Sequence, residues 1–391
     1  MKEGWKIEKL DKIGKIVSGA TPRSNVAEYW DGDILWLTPK DLGKLGGEIY
    51  ITASSRKITA LGLKSCSSQL MPKGSIIMSS RAPIGHLGIA ADVICTNQGC
   101  KSIVPNENMV SKFVYYYLLK SRKELNSLGT GAVFPEISGR IFGAFEIPVP
   151  PLSEQQKIVE KLDTAFDLID RAKANIEKNI HNAKELFQSK LNQVFSEKGE
   201  GWEEVELAKV CTMKRGHNPP KSKFIYEPKE GYVRFYQIRD GSSEKNAVYV
   251  PDTPQLQRVE PDDILMVAYR HVGRAFRGVS GCFNVALCKI SNNDQSVLDN
   301  DFLFYLIPSD VIRGELLKHS ERSLIPSMSV EHLKKLAIPL PPINEQKAIV
   351  ELLNIFRDST DALIYKYQQK LNNLEEMKKS ILEKAFKGEL I

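Results

Sequence analysis

The sequence predicts an α/β (α+β) protein with a pseudo-two-fold internal repeat: two globular domains separated by two long antiparallel helices that form a coiled coil. Three observations predict it. One stretch occurs twice, as Ile147-Pro148-Val149-Pro150-Pro151-Leu152-Ser153-Glu154-Gln155-Gln156-Lys157-Ile158-Val159-Glu160 and as Ile338-Pro339-Leu340-Pro341-Pro342-Ile343-Asn344-Glu345-Gln346-Lys347-Ala348-Ile349-Val350-Glu351. Each copy is followed by a run of helical periodicity that no Pro or Gly interrupts, and Leu162, Asp170, Ser189, Leu191 and Phe195 return as Leu353, Asp361, Ser380, Leu382 and Phe386 at a constant offset. After the first run the chain begins again much as it began. The order is therefore a globular domain over 1–151, a spacer helix over 152–198, a second globular domain over 199–342 and a second spacer helix over 343–391.

In the first domain, short apolar runs such as Ile34-Leu35-Trp36-Leu37 and Ser75-Ile76-Ile77-Met78 lie between turn residues, Asp31-Gly32-Asp33, Pro39 and Pro72-Lys73-Gly74, and read as strands. Val110, Phe113, Val114, Tyr117 and Leu118 recur at helical spacing and predict a helix over about 110–124, its aromatics in the core. The remainder is rich in Gly and Ser, so long loops are expected.

Pro148, Pro150 and Pro151 then exclude both a helix and an interior strand and deliver the chain to Ser153. Ser153 with Gln156 three positions on is a capping-box pattern and predicts a helix start. In the second copy Asn344 is an equally good cap, but Lys347 stands in place of the glutamine and the reciprocal half of the box is lost.

From each cap, apolar residues recur in steps of three and four. The first run is Val159, Leu162, Phe166, Ile169, Ile176, Ile180, Ala183, Phe187 and Val194; the second is Ile349, Leu353, Phe356, Leu363, Tyr367, Leu371, Leu374, Met377 and Ile381. Each predicts a helix of about 40 residues, roughly 60 Å long. A narrow apolar seam of that length cannot be buried alone, which pairs the two helices as a coiled coil; two independent helices lying on their own domains are the alternative.

The second domain repeats the frame of the first. Gly4-Trp5, Leu10 and Ile13 return as Gly201-Trp202, Leu207 and Val210, and Trp36 to Lys40-Asp41 as Arg234 to Arg239-Asp240. Pro72 to Arg81 is echoed by Pro261 to Arg270, and Pro135 and Ser138 by Pro326 and Ser329. Between these anchors the halves diverge, which leaves a shared frame with different loops.

Composition narrows the class. A length of 391 residues suits two to four compact units, and 42% hydrophobic with 26% charged residues is a globular mix well away from disorder. No run of about 18 apolar residues could span a bilayer and the first residues carry no apolar signal core, so a cytoplasmic protein without a membrane partner is expected. Cys66, Cys95, Cys100, Cys211, Cys282 and Cys288 form no Cys-x-x-Cys pair and are expected as buried free thiols. The formal net charge is +6; residues 152–198 and 343–391 each carry 8 basic and 8 acidic side chains, so the whole excess lies in the globular domains.

Two modules on a fixed spacer suit one kind of target. Double-stranded DNA presents equivalent phosphates and groove edges at two places related by a two-fold axis, and such a protein reads two half-sites at fixed separation. The divergent loops let the half-sites differ.

The chain resembles the specificity (S) subunits of type I restriction-modification systems. The resemblance rests on the two Ile-Pro-x-Pro-Pro-x-x-Glu-Gln hinges, on Ser18-Gly19-Ala20-Thr21-Pro22, Tyr29-Trp30-Asp31-Gly32-Asp33-Ile34 and Thr38-Pro39-Lys40-Asp41, and on Ser79-Ser80-Arg81-Ala82-Pro83-Ile84-Gly85 and Thr96-Asn97-Gln98-Gly99. It covers the whole chain. It implies two target-recognition domains that bind a bipartite asymmetric DNA site, and docking of two methylation (M) subunits and of restriction (R) subunits. The complex that the resemblance implies methylates adenine or cleaves DNA. S-adenosylmethionine, ATP and Mg are implied on those partners and no cofactor in this chain. The second half departs from the pattern, with Arg270-His271-Val272-Gly273 where Arg81 to Gly85 would stand and Asn284-Val285-Ala286 lacking the Gln-Gly.

DNA affinity comes from Lys and Arg on phosphates, and discrimination from Arg or Lys on guanine and Gln or Asn on adenine. The first-domain candidates are the loop residues Thr21, Arg23, Lys40, Arg81, Gln98, Lys101 and Thr130. In the second domain the densest positive cluster is Lys214-Arg215-Gly216-His217-Asn218 with Lys221 and Lys223, extended by Arg239, Tyr269, Arg270, Arg274, Arg277 and Arg322. Any one of these also reads as a solvated surface charge.

Catalytic chemistry finds little support. Asn218-Pro219-Pro220-Lys221 resembles the Asn-Pro-Pro-aromatic motif of amino-methyltransferases, but lysine cannot stack on a flipped base, and no Gly-rich strand-to-helix turn precedes it. His86, His181, His217, His271, His319 and His332 show no ligand or triad spacing, and no paired-carboxylate metal site is evident. A non-catalytic DNA-recognition subunit is the leading expectation. A self-contained DNA adenine methyltransferase and a protein-binding adaptor that never touches DNA are the alternatives.

Overall fold

The computed structural model describes residues 4–81, 83–131, 135–241, 243, 245–318 and 327–390. Residue contacts divide the chain into two units, Met1–Ile176 with Gln369–Ile391, and Glu177–Gln368. The division falls inside both long helices. Among the described residues no helix is long and apolar enough to cross a membrane.

The first unit holds a five-stranded sheet in the order β1 (Gly14–Ser18), then Cys100–Pro105, Ile76–Ser79, Leu87–Ala90 and Tyr50–Ile51. A three-stranded sheet sets β2 (Trp30–Leu37) between Arg56–Ile58 and Ile94–Thr96. Taken in chain order, Ile76–Ser79 is β3, Ile94–Thr96 is β4 and Cys100–Pro105 is β5. Every residue of β3 is buried, and the strand alternates between two cores: Ile76 and Met78 face the helices, and Ile77 faces a cluster with Leu37, Ile51 and Ile94. A strand buried on both faces reads as an unbroken apolar run, which is how Ile76-Ile77-Met78 stands in the sequence. Asp31-Gly32-Asp33 is no turn. It lies inside β2, where the pairing with Arg56–Ile58 shifts register between Trp30 and Ile34. Asp31 takes a φ of 60° there, and a Cβ at Gly32 would meet the Ile58 carbonyl at 2.6 Å, so the stretch is a bulge. The helix expected over 110–124 is two, Ser111–Lys120 and Arg122–Ser127, with the break at the buried Ser121.

The second unit repeats the frame. β6 (Cys211–Arg215) starts a four-stranded sheet continued by Leu287–Asn292, Ile264–Val267 and Ala275–Phe276; a second sheet orders Val248–Pro251, β7 (Tyr232–Tyr236), Gly281–Phe283 and Arg258–Val259. Ile264–Val267 is β8, Gly281–Phe283 is β9 and Leu287–Asn292 is β10. β8 alternates between two cores as β3 does, Ile264 and Met266 on one side and Leu265 and Val267 on the other.

The ladders correct three sequence alignments. β2 pairs parallel with β4 through Trp36 and Cys95, and β7 with β9 through Phe235 and Cys282, so Phe235 and not Arg234 takes the place of Trp36. The Ile137 N–H bonds the Ser80 carbonyl and the Met328 N–H bonds that of Ala268; Gly85 N–H bonds Ser79 and Gly273 N–H bonds Val267. Tyr269, not Arg270, thus stands where Arg81 stands. The turn bonds Ser75 to Pro72 and Asp263 to Glu260 likewise put Glu260, not Pro261, opposite Pro72. The shared Pro and Arg are one residue out of structural register. Ser138 and Ser329 do correspond, each accepting a cap bond at 3.2 Å, from Ile141 N–H and His332 N–H; Pro326 lies outside the described residues.

In each hinge the Pro-containing strand pairs with the start of its own half, Glu146–Val149 with Lys6–Lys9 and Ala337–Leu340 with Glu203–Glu206. A two-stranded ribbon has only edges, which is where Pro148 and Pro339 are tolerated. The long helices run Leu152–Ser196 and Ile343–Lys387, 45 residues each. Neither predicted cap forms as expected. The N–H groups of Glu154 and Gln155 bond the Pro151 carbonyl, and those of Glu345 and Gln346 bond Pro342, so Ser153 and Asn344 already lie within the first turn. The duplicated Glu-Gln pair does other work. Trp5 Nε1 donates to Glu154 at 3.0 Å and Trp202 Nε1 to Glu345 at 2.7 Å, tying each hinge to the first strand of its half. Gln155 is fully buried: its Oε1 accepts from Val110 N–H (2.9 Å) and its Nε2 donates to the Asn108 (3.1 Å) and Pro150 (3.0 Å) carbonyls. Gln346, also fully buried, repeats this with Asp299 N–H (2.7 Å) and the Val297 (2.9 Å) and Pro341 (2.8 Å) carbonyls.

The core of the first unit takes Ile158, Val159, Leu162, Phe166 and Ile169 from the first long helix and Leu382, Ala385 and Phe386 from the end of the second. The two segments run antiparallel, with Lys378 at 3.1 Å from Asp170 and Lys173 paired with Glu375. In the second unit the roles exchange, Leu191 and Phe195 ending one helix beside Val350 and Leu353 starting the other. The predicted seam is buried or half-buried along the first helix, but Leu363 (41%) and Met377 (51%) of the second are exposed. The described cysteines are buried except Cys66, which is half-buried.

Candidate nucleic-acid interface

Each unit carries one loop crossing that depends on a glycine. After β1 the chain passes so close to the turn between β4 and β5 that a Cβ at Gly19 would lie 2.0 Å from the Asn97 carbonyl oxygen. After β6 a Cβ at Gly216 would lie 2.2 Å from the Phe283 carbonyl oxygen. Ala20 N–H bonds the Thr96 carbonyl and His217 N–H that of Phe283, both at 3.0 Å. The next residues also correspond: the Thr21 hydroxyl donates to the Gln98 side-chain carbonyl, and the Val285 N–H donates to Asn218 Oδ1 at 3.2 Å. Asn218-Pro219 is therefore the counterpart of Thr21-Pro22. Its amide pins a loop crossing and follows a β-strand, β6, as the residues of Thr21 follow β1.

In the first unit this crossing gathers five of the seven candidates. Lys101 Nζ donates to the Gln98 carbonyl at 2.9 Å and lies 3.6 Å from Glu136 Oε1; Arg81 Nη1 lies 3.5 Å from Glu136 Oε2. Thr130 exchanges both backbone hydrogen bonds with Glu136. Thr21, Gln98 and Thr130 are exposed and Arg81 is half-exposed, whereas Lys101 is 7% exposed. Lys40 is exposed on the short helix Pro39–Gly43, whose Pro39 would touch a Cβ at Gly99 at 2.9 Å. That helix is held by Asp41. Burial pulls its carboxyl upward, but hydrogen bonds from Ser55 and from the Thr38 hydroxyl and N–H outweigh it and hold the group below its ordinary value. Arg23 is exposed two residues beyond Thr21, its carbonyl accepting from Trp30 Nε1 at 3.2 Å.

In the second unit Arg215 Nη1 donates to the Val285 carbonyl at 2.7 Å and Nη2 to the Met328 carbonyl. The cross-strand pair Ser18–Lys101 of β1 and β5 is matched by Arg215–Cys288 of β6 and β10. The long cation has changed strands, yet both cations bond the corresponding carbonyl, Gln98 or Val285. Lys101 and Arg215 are thus engaged inside the fold. Tyr269 pairs with Ser327, Arg270 is exposed with a φ of 63° and its guanidinium 5.7 Å from the Tyr269 ring, and Arg274 is exposed beyond them. Lys214, His217, Lys221 and Lys223 are exposed along the crossing and the turn that follows. Arg239 is exposed at the place of Lys40, beside the buried Asp240, whose carboxylate accepts from Gln237 N–H as Asp41 accepts from Thr38. Arg277 pairs with Asp301 and lies 4.7 Å from the Phe304 ring. Arg322 lies outside the described residues. Among the described residues no group of His, Cys, Asp and Glu could hold a metal ion.

Both halves of the chain match one family, described as the type I restriction modification DNA specificity domain, over residues 2–182 and 199–373. The chain belongs to that family. Its function is DNA target recognition, as the recognition subunit of a restriction-modification complex and not its catalytic one. It is 29% identical to the MjaIX specificity subunit of Methanocaldococcus jannaschii across 99% of this chain and 93% of that one. To the EcoR124I/EcoR124II specificity subunit of Escherichia coli it is 33% identical over 43% of this chain and 42% of that one. The fold is shared with a chain solved in work on complex assembly and conformational transition of the type I R-M system (TM-score 0.75, 21% identity, 100% and 99% coverage). It is shared also with the HsdS subunit from Thermoanaerobacter tengcongensis (TM-score 0.55, 22% identity, 100% and 98% coverage).

Sequence reasoning passed over Glu136, because it sought cations and amides in a DNA-binding loop. The available signal was position: Glu136 stands two residues before Ser138, one of the anchors shared by the two halves.

Proposed function

We propose that each unit reads one half of a bipartite, asymmetric double-stranded DNA site through its loop crossing, and that the chain docks two methylation subunits and restriction subunits that carry out the chemistry. The observation that carries this reading is one frame holding two different sets of side chains. Thr21, Gln98, Arg81 and Lys40 on one crossing correspond to Asn218, Val285, Tyr269 and Arg239 on the other. A protein that reads unlike half-sites needs the same placement of loops with different donors and acceptors on them. Exposed Arg23, Lys40, Lys214, Lys221, Lys223, Arg239, Arg270 and Arg274 serve phosphates and groove edges, with Thr21, Gln98, Thr130 and His217 beside them. S-adenosylmethionine, ATP and Mg belong to the partner subunits, and the complex acts in the cytoplasm.

Quantitative binding to duplexes at several salt concentrations, with the methylation subunits present, tests the reading. The expected result is preference for one bipartite site over random duplex and an affinity that falls steeply with salt. Equal binding to all duplexes overturns it. Methyl transfer by the purified chain alone, abolished by Asn218→Ala, would instead establish the methyltransferase alternative.

A further inference from the structure

The first crossing holds a carboxylate where a DNA-reading loop is expected to be positive, and three residues are arranged around it. Glu136 is fixed at its backbone by two hydrogen bonds with Thr130, and the N–H of the next residue, Ile137, bonds the Ser80 carbonyl beside Arg81. One carboxylate oxygen faces the Lys101 ammonium at 3.6 Å and the other faces Arg81 Nη1 at 3.5 Å. Lys101 cannot swing away, because its ammonium is buried and bonded to the Gln98 carbonyl at 2.9 Å. The triad carries a net positive charge, and that charge faces outward on the half-exposed Arg81. Among the described contacts Arg81 bonds Glu136 through Nη1 alone, which leaves the rest of the fork for a ligand.

The second unit lacks the Arg–Glu pair: Tyr269 stands in the place of Arg81 and Ser327 in that of Glu136. The bond to the crossing carbonyl is kept there by Arg215 from the neighbouring strand. Two positions distant in sequence thus differ together, while the cation beneath them is retained.

We propose that Glu136 is a positioning residue that, clamped by Lys101, holds the Arg81 guanidinium in a fixed pose to read a guanine edge in the half-site of the first unit. This rests on the DNA-reading assignment above. A guanidinium held at one nitrogen presents its remaining donors in a set plane, and bidentate pairing to guanine O6 and N7 requires that plane.

Selection of preferred duplexes from a randomised library, using the full chain with its methylation subunits, tests the proposal for the wild type, Glu136→Gln and Arg81→Gln. Arg81→Gln removes the fork from a half-exposed residue whose ion pair contributes little to stability, and so leaves the fold intact. Both variants are expected to lose preference for guanine at the same base pair of one half-site, on the order of tenfold or more, with the other half-site unchanged. If the wild type selects a bipartite site and either variant selects it with every base preference intact, the positioning role is wrong while DNA reading stands. Loss at different base pairs in the two variants also overturns it. A wild-type complex that selects no site at all removes the DNA-reading assignment itself and the proposal with it.

Discussion

Gln155 and Gln346 illustrate what a single residue does in this fold. Each is fully buried with every polar atom of its amide bonded to backbone, so removing the amide leaves one backbone N–H and two carbonyls, buried or half-buried at these contacts, without their partner. Gln155→Leu is expected to destabilise the first unit by about 3 kcal/mol in denaturant unfolding, and Gln346→Leu the second by a similar amount; a change below about 0.5 kcal/mol would mean the amides are dispensable. The duplication made these residues visible in the sequence, but the capping-box pattern drew attention to Ser153 and Gln156, two residues before Gln155 and one after it. Asp41 makes a second, pH-dependent case. Its carboxyl is held below the ordinary value in the folded chain, so its contribution is complete above about pH 4 and is lost as the pH falls through the folded value. Asp41→Asn should therefore be less stable than wild type at neutral pH, with the gap closing in acid; a gap independent of pH would contradict the assignment. The exchange of Lys101 for Arg215 across the strands was not legible, because the two cations align with Ser or Cys in the other half and only the ladder shows that they reach corresponding carbonyls.

Among the elements, the two long helices were the most legible part of the chain, since an uninterrupted three-four periodicity over so many residues has no other regular reading. Their ends were also marked, by Leu191 and Phe195 matching Leu382 and Phe386. What the periodicity could not give was the partner of each end. Leu382 and Phe386 belong to the core of the first unit, where the Phe386 ring meets Phe113 and Tyr117 with centroids 5.1 Å apart in each case. Phe386→Ala should cost about 3–5 kcal/mol there. Hydrogen exchange should accordingly speed up around Phe113 in the first unit and stay unchanged around Phe302 in the second; the reverse pattern would mean the helix end packs elsewhere. Leu363 and Met377 show the limit of seam counting: both fit the spacing, yet they fall on the exposed side because partner side chains, not period, decide which flank of a broad stripe is covered.

At the scale of the whole molecule, the repeat of frame without repeat of loops was readable from anchors such as Gly4-Trp5 and Gly201-Trp202, and the structure carries it to the level of individual hydrogen bonds. The register between β3 and β8 was misread by one residue because the halves share a Pro and an Arg that do not correspond in space. Each long helix begins in one unit and ends in the other. Inserting seven residues in both helices is expected to change the spacing between half-sites and leave the half-sites themselves unaltered; altered half-sites at unchanged spacing would count against a spacer role. The central claim is that each unit reads its own half-site. Its most direct test is duplex selection by the assembled complex carrying Lys214→Glu, Lys221→Glu and Lys223→Glu, three exposed cations of the second unit. The account predicts that base preference is lost in one half-site and kept in full in the other, and loss spread evenly over both half-sites, or none in either, would contradict it.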